Sequence, residues 1–375
     1  MRTLLAHCIF TSLAWASSIH FMPGSASASN SKASSFGIAY QDTVIEGIDL
    51  HMHPGSYESL GPLGKAFILA RLPEFLPDFL KDLSLRAAAS LLQNPYGAFI
   101  GIKSQCIESG MSRCGLFTTY APQSWGVVSN QEVQKWLEDD RNFNPNTGQP
   151  VFFGLASLDM QNWQENKTKN LAELETALEN PAFAGIKLAF IHNNIPLDDP
   201  QYDGIYEVAA RTGKPVYHHV GSTPIRKLSD FPTQEERDQY IRSYDPAGLE
   251  RVIQNYPTVS FILGHMGFDF NKEGFAFDEN VFELAAKYPN VYIEISAFGG
   301  PIYDPDGHYK DKTFQRLKEA KLLDRTLYGS DGPGTPGGAK RYRDGVLASM
   351  NRVGYSAQEA QAVFSTTTKK LFKLD

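Results

Sequence analysis

The sequence is poor in cysteine: three in 375 residues, at positions 8, 106 and 114, with no Cys-x-x-Cys pair among them. A thiolate zinc site and thioredoxin-like redox chemistry thereby have no support. Blocks of lysine or arginine are also missing, and the formal net charge is −7. The chain therefore carries no electrostatic footprint for nucleic acid or an anionic membrane. A small-molecule partner is expected, and nothing in the sequence excludes a homo-oligomer. Beyond residue 30 no segment approaches the roughly 18 consecutive apolar residues of a transmembrane helix, so the mature chain is expected to have no membrane span. No glycine-rich phosphate loop follows the first strand candidate, and "GPLGK" at 61–65 is not a Walker motif.

What is present is enough to bury a large core: 42% of residues are hydrophobic and 12% aromatic. The first residues differ in kind from the rest. Met1-Arg2 leads into an apolar run, then Pro23-Gly24, then a small-residue stretch in which Ala26-Ser27-Ala28 has the form of a cleavage site. Residues 1–28 are expected to be a signal peptide, which places the mature protein outside the cytoplasm, periplasmic or secreted. An uncleaved anchor and a disordered tail are the competing readings, although His7, His20 and the serines make a poor span. Residues 29–44 read as a linker. Loss of the leader leaves Cys106 and Cys114 in "CIESGMSRC", either a small disulfide loop or two buried thiols.

Past residue 44, short β-branched or apolar runs alternate with helical patterns. Strand candidates are 44–53, 115–120, 151–158, 184–190, 214–220, 259–265, 290–296 and 325–331. Helical patterns include 170–180, 202–211, 248–256, 279–288 and 314–323. Asp245-Pro246 reads as an N-cap followed by proline at the first helical position, and Ser356 with Glu359 as a capping box. Eight strand-helix alternations imply an α/β fold, a single-domain (β/α)8 TIM barrel over 45–375. The link between its first two strands, 54–105, is unusually long. Its aliphatic and aromatic stretch either covers the barrel mouth or forms an outer helix.

Chemistry-bearing residues gather at the C-terminal ends of these strands, where barrel enzymes build their sites. His51 and His53 stand at i and i+2 on the first strand and so share a face. Lys187, His219, His265 and Asp331 end later strands. Of the adjacent His218 and His219 only one can face the axis, and His219 is the choice. Glu294 and Ser296 share a face of the seventh strand and either contact substrate or support structure. His192 and His308 read as solvated loop residues. Arg226 and Arg242, after the fifth strand, either hold a carboxylate substrate or lie on the surface.

Taken in order, "DLHMH", "GLASLDMQ", "FAGIKLAF", "GIYEVAARTGKPVYHHVGS", "FILGHMG", "NVYIEIS" and "LYGSDGPG" resemble the amidohydrolase superfamily, within its amidohydrolase-related group of decarboxylase-like and lactonase-like enzymes. The resemblance covers roughly residues 45–372. It implies a divalent metal, zinc in the first instance, bound by His51, His53, His219 and Asp331. Asp331 would also handle the proton of a bound water, and His265 would polarise or protonate the substrate. Related two-metal enzymes carry a carboxylated lysine bridge, so Lys187 and His265 are the candidates for a second ion; one metal is the favoured reading. The implied activity is hydrolysis of an ester, lactone or amide through a metal-activated water. The alternatives are non-oxidative decarboxylation of an aromatic or enolic acid and, further off, an exported barrel that binds metal or ligand without turnover.

The leader makes a direct prediction. N-terminal sequencing of the protein from its natural host should find a start near Ser29 in an extracytoplasmic fraction, and Met1 intact on exported material would contradict cleavage.

Overall fold

The computed structural model describes residues 36–70, 77, 79–81, 97–298, 304–332 and 337–374. The signal-peptide reading and the middle of the 54–105 link fall outside the described residues. The folded unit begins at Phe36, earlier than the linker reading of 29–44 allows. β1 (Ile38–Tyr40) and β2 (Thr43–Ile45) pair as an antiparallel hairpin, turning at Gln41 with φ 52°. Ile38, Tyr40 and Ile45 are buried, and the Tyr40 hydroxyl donates to the Tyr355 carbonyl. Alternation of apolar residues in "IAYQDTVIE" is the strand signal that the linker reading passed over.

Eight parallel strands form the barrel: β3 (Gly47–Met52), β4 (Met111–Phe117), β7 (Phe152–Ala156), β8 (Phe183–Leu188), β9 (Val216–His219), β10 (Phe261–Gly264), β11 (Val291–Glu294) and β12 (Thr326–Leu327). Between β4 and β7 a second hairpin, β5 (Thr119–Ala121) with β6 (Gly126–Val128), rises from the C-terminal end of β4. The second strand thus starts earlier than its most apolar stretch suggested. β3 closes on the segment after β12 through a parallel bridge, Met52 to Gly332. The Leu50 N–H also donates to the Tyr328 carbonyl at 3.0 Å and the His53 N–H to that of Gly332 at 2.7 Å.

Two apolar layers follow from strand alternation. The inner one is built by Ile48, Leu50, Phe117, Phe153, Leu155, Ala184, Tyr217, Ile262 and Leu327, with Phe372 of the last helix packed against it. The outer, larger one joins the opposite strand faces to the helices. Both predicted caps are present: Asp245 accepts from the Ala247 N–H ahead of Pro246, and Ser356 with Glu359 forms a capping box. Helix Trp163–Glu179 starts about two turns before its apolar pattern begins, because "WQENKTK" is mostly polar.

Of the long link, helix Pro62–Leu69 lies against the β5–β6 hairpin, with the Leu63 and Gly64 N–H groups donating to the Gln123 and Ser124 carbonyls. A Cβ on Gly61 would come within 2.3 Å of the Pro122 carbonyl oxygen, so the close approach requires glycine there. Helix Gly97–Glu108 is an outer helix, tied to β4 by a disulfide between Cys106 and Cys114. Both cysteines are fully buried.

That bond closes a short loop, a sequence separation of 8, and chain entropy assigns a loop of this size about 2–3 kcal/mol. Urea unfolding with and without reductant should therefore show a lower midpoint for the reduced protein, and coincident curves would contradict the assignment.

Candidate metal centre

The site grows from a flaw in β3. Ile48 and Leu50 belong to the inner layer, so strict alternation would turn His51 outward. The pairing of β3 with β4 shifts register between Asp49 and Met52, and a bulge of this kind re-aims side chains. Met52 then packs in the outer layer, while the His51 ring stacks on inner-layer Phe117 at 4.2 Å. His51 and His53 end up side by side, their Nε2 atoms 2.9 Å apart.

Barrel closure brings in Asp331. Its Oδ1 lies 3.3 Å from His51 Nε2 and 3.1 Å from His53 Nε2. Donors bound at about 2.0–2.1 Å in a tetrahedron stand about 3.3 Å apart, so the three observed separations fit one shared ion. Asp331 has φ 59° and His265 φ 56°, a left-handed conformation uncommon outside glycine and the kind of strain that collects at functional sites.

Burial alone would raise the Asp331 carboxyl, but attraction by His51, by a hydrogen bond from His53 and by His265 outweighs it and leaves the group below its ordinary range. It is an anion at neutral pH. His51 goes the other way: burial, only partly offset by Asp331, holds it well below the usual imidazole value. A neutral imidazole beside a carboxylate is the donor set that zinc and similar ions take.

His219 does not join the three atoms that share one point. Its ring lies 4.3 Å from that of His265, which in turn lies 5.1 Å from His51. The choice of His219 over His218 nevertheless agrees with the strand geometry. Tyr217, two residues before His219, is inner-layer, whereas His218 is fully buried among Tyr206, Phe190 and Phe261 on the outer side. A second three-residue grouping, His51, His265 and Glu294, is already knitted by hydroxyl groups: Ser296 Oγ sits 3.0 Å from His51 Nδ1 and 3.0 Å from His265 Nδ1. Those contacts tie the three residues into one hydrogen-bonded group beside the site.

Lys187 is 3% exposed, its amine 6.0 Å over the Phe117 ring. Burial lowers its pKa to about 8, against the pull of Asp331. His192 corrects the solvated-loop reading: it is 3% exposed, sits on the short helix Phe190–Asn193, and its ring is 5.2 Å from that of His219. The turn of helix directly after β8 folds this residue back over the mouth. Trp125 of the hairpin meets His192 edge-on at 6.4 Å and Phe67 of helix Pro62–Leu69 at 5.8 Å, so the first part of the long link does reach the mouth. His308 is exposed, as expected, but it opens the helix His308–Glu319 rather than lying in a loop.

Three supporting residues escaped sequence reasoning in whole or part. Asp49 is fully buried and accepts from the His51 N–H at 3.0 Å and the Ser330 N–H at 2.9 Å, stitching the first strand to the last. Burial pushes its carboxyl up to about 7, against the pull of its hydrogen bonds with Ser330 and His51. Tyr217 points its hydroxyl to within 3.1 Å of His51 Nδ1. Glu294, read as a substrate contact or a structural group, is fully buried and accepts from Tyr217, Ser296 and the His265 N–H. The i+2 relation of Tyr217 to His219 was the available signal for the tyrosine.

A sequence profile described as amidohydrolase matches residues 149–374. No match is found among curated proteins. Among solved structures the chain is similar to an uncharacterised TIM-barrel protein from Bordetella bronchiseptica, at 15% identity and TM-score 0.58 over 88% of this chain and 99% of that one. It is also similar to a probable 2-pyrone-4,6-dicarboxylic acid hydrolase from Acinetobacter baumannii, at 15% and 0.54 over 88% and 100%. A third is a 5-carboxyvanillate decarboxylase with bound manganese from Novosphingobium aromaticivorans, at 14% and 0.52 over 88% and 97%. At such identities the shared property is the barrel. The profile spans more than half of the sequence, and the barrel sets the two histidines that precede it beside the aspartate near its end: the chain belongs to the amidohydrolase family.

Proposed function

We propose that this enzyme is a divalent-metal-dependent hydrolase opening an ester, lactone or amide bond of a small organic substrate. The observation that carries the reading is the approach of His51 Nε2, His53 Nε2 and Asp331 Oδ1 to within 2.9–3.3 Å of one another at the barrel mouth. In this reading the ion is held by those residues with His219. Zinc is the proposed ion, because a set of imidazoles with one carboxylate suits it; manganese, bound in one solved decarboxylase of the same fold, is the competitor. When bound, the ion supplies Lewis acidity, polarising a carbonyl oxygen and acidifying a water.

The chain's own groups supply the proton handling. Asp331, ionised, takes a proton from the attacking water. His265 Nδ1 is engaged by Ser296, which leaves Nε2 facing the substrate, where, once it carries a proton, it polarises the substrate oxygen or protonates the leaving group. Phe117 against His51 and Phe270 against His265 at 5.9 Å limit water at the reacting atoms.

Decarboxylation is the second reading, and Lys187 favours it: a buried cation at the mouth, in no ion pair among the described residues, is suited to a carboxylate substrate. Arg226 is half-buried nearby and lowers His192 electrostatically. Arg242 pairs with Asp198 at 2.8 Å and does not serve. Export is proposed as well. The leader-like residues 1–28 and the Cys106–Cys114 disulfide, a bond of oxidising compartments, support it.

The test combines metal content with a panel of lactones, aryl esters, N-acyl amino acids and hydroxybenzoates, scored separately for acid release and for CO2. His51→Ala should lose metal and turnover together. His265→Ala should keep near-stoichiometric metal and lose about 10²–10⁴-fold in turnover. Two ions per wild-type chain, falling to one in both His265→Ala and Lys187→Ala, would overturn the one-metal reading.

A further inference from the structure

We propose that Glu294 is a positioning residue that sets the tautomer of His51 and the backbone of His265 together, so that both imidazoles present Nε2 to the barrel mouth. The inference rests on the metal-dependent reading above and extends it to the residue that backs His51 and His265. The hydrogen-bond accounting around Glu294 carries it.

The carboxylate is fully buried, and among the described residues no lysine or arginine pairs with it. A charge in that position is costly unless donors surround it. Oε2 accepts from the Ser296 hydroxyl at 2.9 Å, the Tyr217 hydroxyl at 3.2 Å and the His265 N–H at 3.1 Å. Oε1 faces His51 Nδ1 at 3.3 Å. With both hydroxyl hydrogens given to the carboxylate, Ser296 and Tyr217 turn lone pairs toward His51 Nδ1, at 3.0 and 3.1 Å. In that arrangement three acceptors face the nitrogen, and it carries the hydrogen. The lone pair of His51 then belongs to Nε2, which fits its neighbour: His53 Nε2, 2.9 Å away, bears the hydrogen that Asp331 accepts, and two N–H groups could not face each other at that distance.

The same reasoning reaches His265. Its Nδ1 faces the Ser296 carbonyl oxygen at 3.2 Å, which can only accept, and the committed Ser296 hydroxyl at 3.0 Å. Nδ1 is again the N–H. Glu294 also accepts the backbone N–H of His265 at the point where the chain turns left-handed, pairing a donor that has left the strand ladder. The space for this hub is kept open by two glycines. A Cβ on Gly329 would stand 1.9 Å from Glu294 Oε1 and 2.7 Å from His51 Cβ, and one on Gly264 would stand 2.0 Å from the Tyr217 hydroxyl. Alanine at either position would displace the network.

Glu294→Gln keeps the shape and breaks the accounting, since an amide has one accepting end and one donating end. With its NH2 at the Oε2 side it frees the hydroxyl hydrogens to face His51 and favours the other tautomer; with its NH2 at the Oε1 side it meets the His51 N–H donor to donor. Nitrogen-15 NMR of histidine-labelled, metal-free protein should show His51 as Nδ1–H in wild type and a loss of that state in Glu294→Gln. Competition with a chromogenic chelator should show zinc affinity falling about 10–100-fold, the scale for groups that orient a metal ligand. Tyr217→Phe, which leaves Ser296 and the carboxylate in place, should keep the tautomer, and it tests the same accounting if Glu294→Gln does not fold. A Nδ1–H state unchanged in Glu294→Gln, or lost in Tyr217→Phe, overturns the proposal. Wild type that binds no divalent ion defeats the metal reading alone, because the tautomer is read without metal.

Discussion

The arrangement of this protein depends on barrel closure between its first and last strands. The parallel contact of Met52 with Gly332, reinforced by Asp49 accepting from Ser330, sets Asp331 against His51 and His53. Sequence separates these residues by most of the chain, and no local preference could bring them together. Only a sheet that curls until its eighth strand meets its first does so. The site therefore reports on the integrity of the whole barrel, since any loss of closure separates the aspartate from both histidines.

Closure also explains why the interior turns from apolar to polar toward one end. Leu50, Phe153, Ala184, Ile262 and Leu327 fill the middle, and above them Glu294, Ser296, Tyr217 and His51 form a buried polar layer whose members satisfy one another. Such networks are costly when incomplete and specify one geometry when complete. Left-handed backbone at His265 and Asp331 adds strain that the surrounding structure must hold.

Much of this was legible in the sequence, because barrel strands are short apolar runs and the chemistry stands at their ends. All eight strands and the fold class could be read that way, as could the gathering of His51, His53, His265, Lys187 and Asp331 at one mouth. His219 rather than His218 was also a sound choice, although it meets His265 rather than the three-atom cluster. What could not be read depends on contacts distant in sequence. The β3 bulge has no composition signal, yet without it Ile48 and Leu50 would send His51 to the wrong face. His192 looked solvated because "IHNN" is polar, whereas a single helical turn buries it. Glu294 was ambiguous, since its partners Tyr217 and His51 come from two other strands and His265 from the turn after a third.

The central proposal is that one divalent ion is held by His51, His53 and Asp331 together with His219. X-ray absorption on zinc-loaded protein tests it most directly. The account predicts a nitrogen and oxygen shell at about 2.0–2.1 Å, with imidazole scattering from three histidines that falls to two in His219→Ala. A spectrum unchanged in His219→Ala, or one showing a single imidazole, would contradict it.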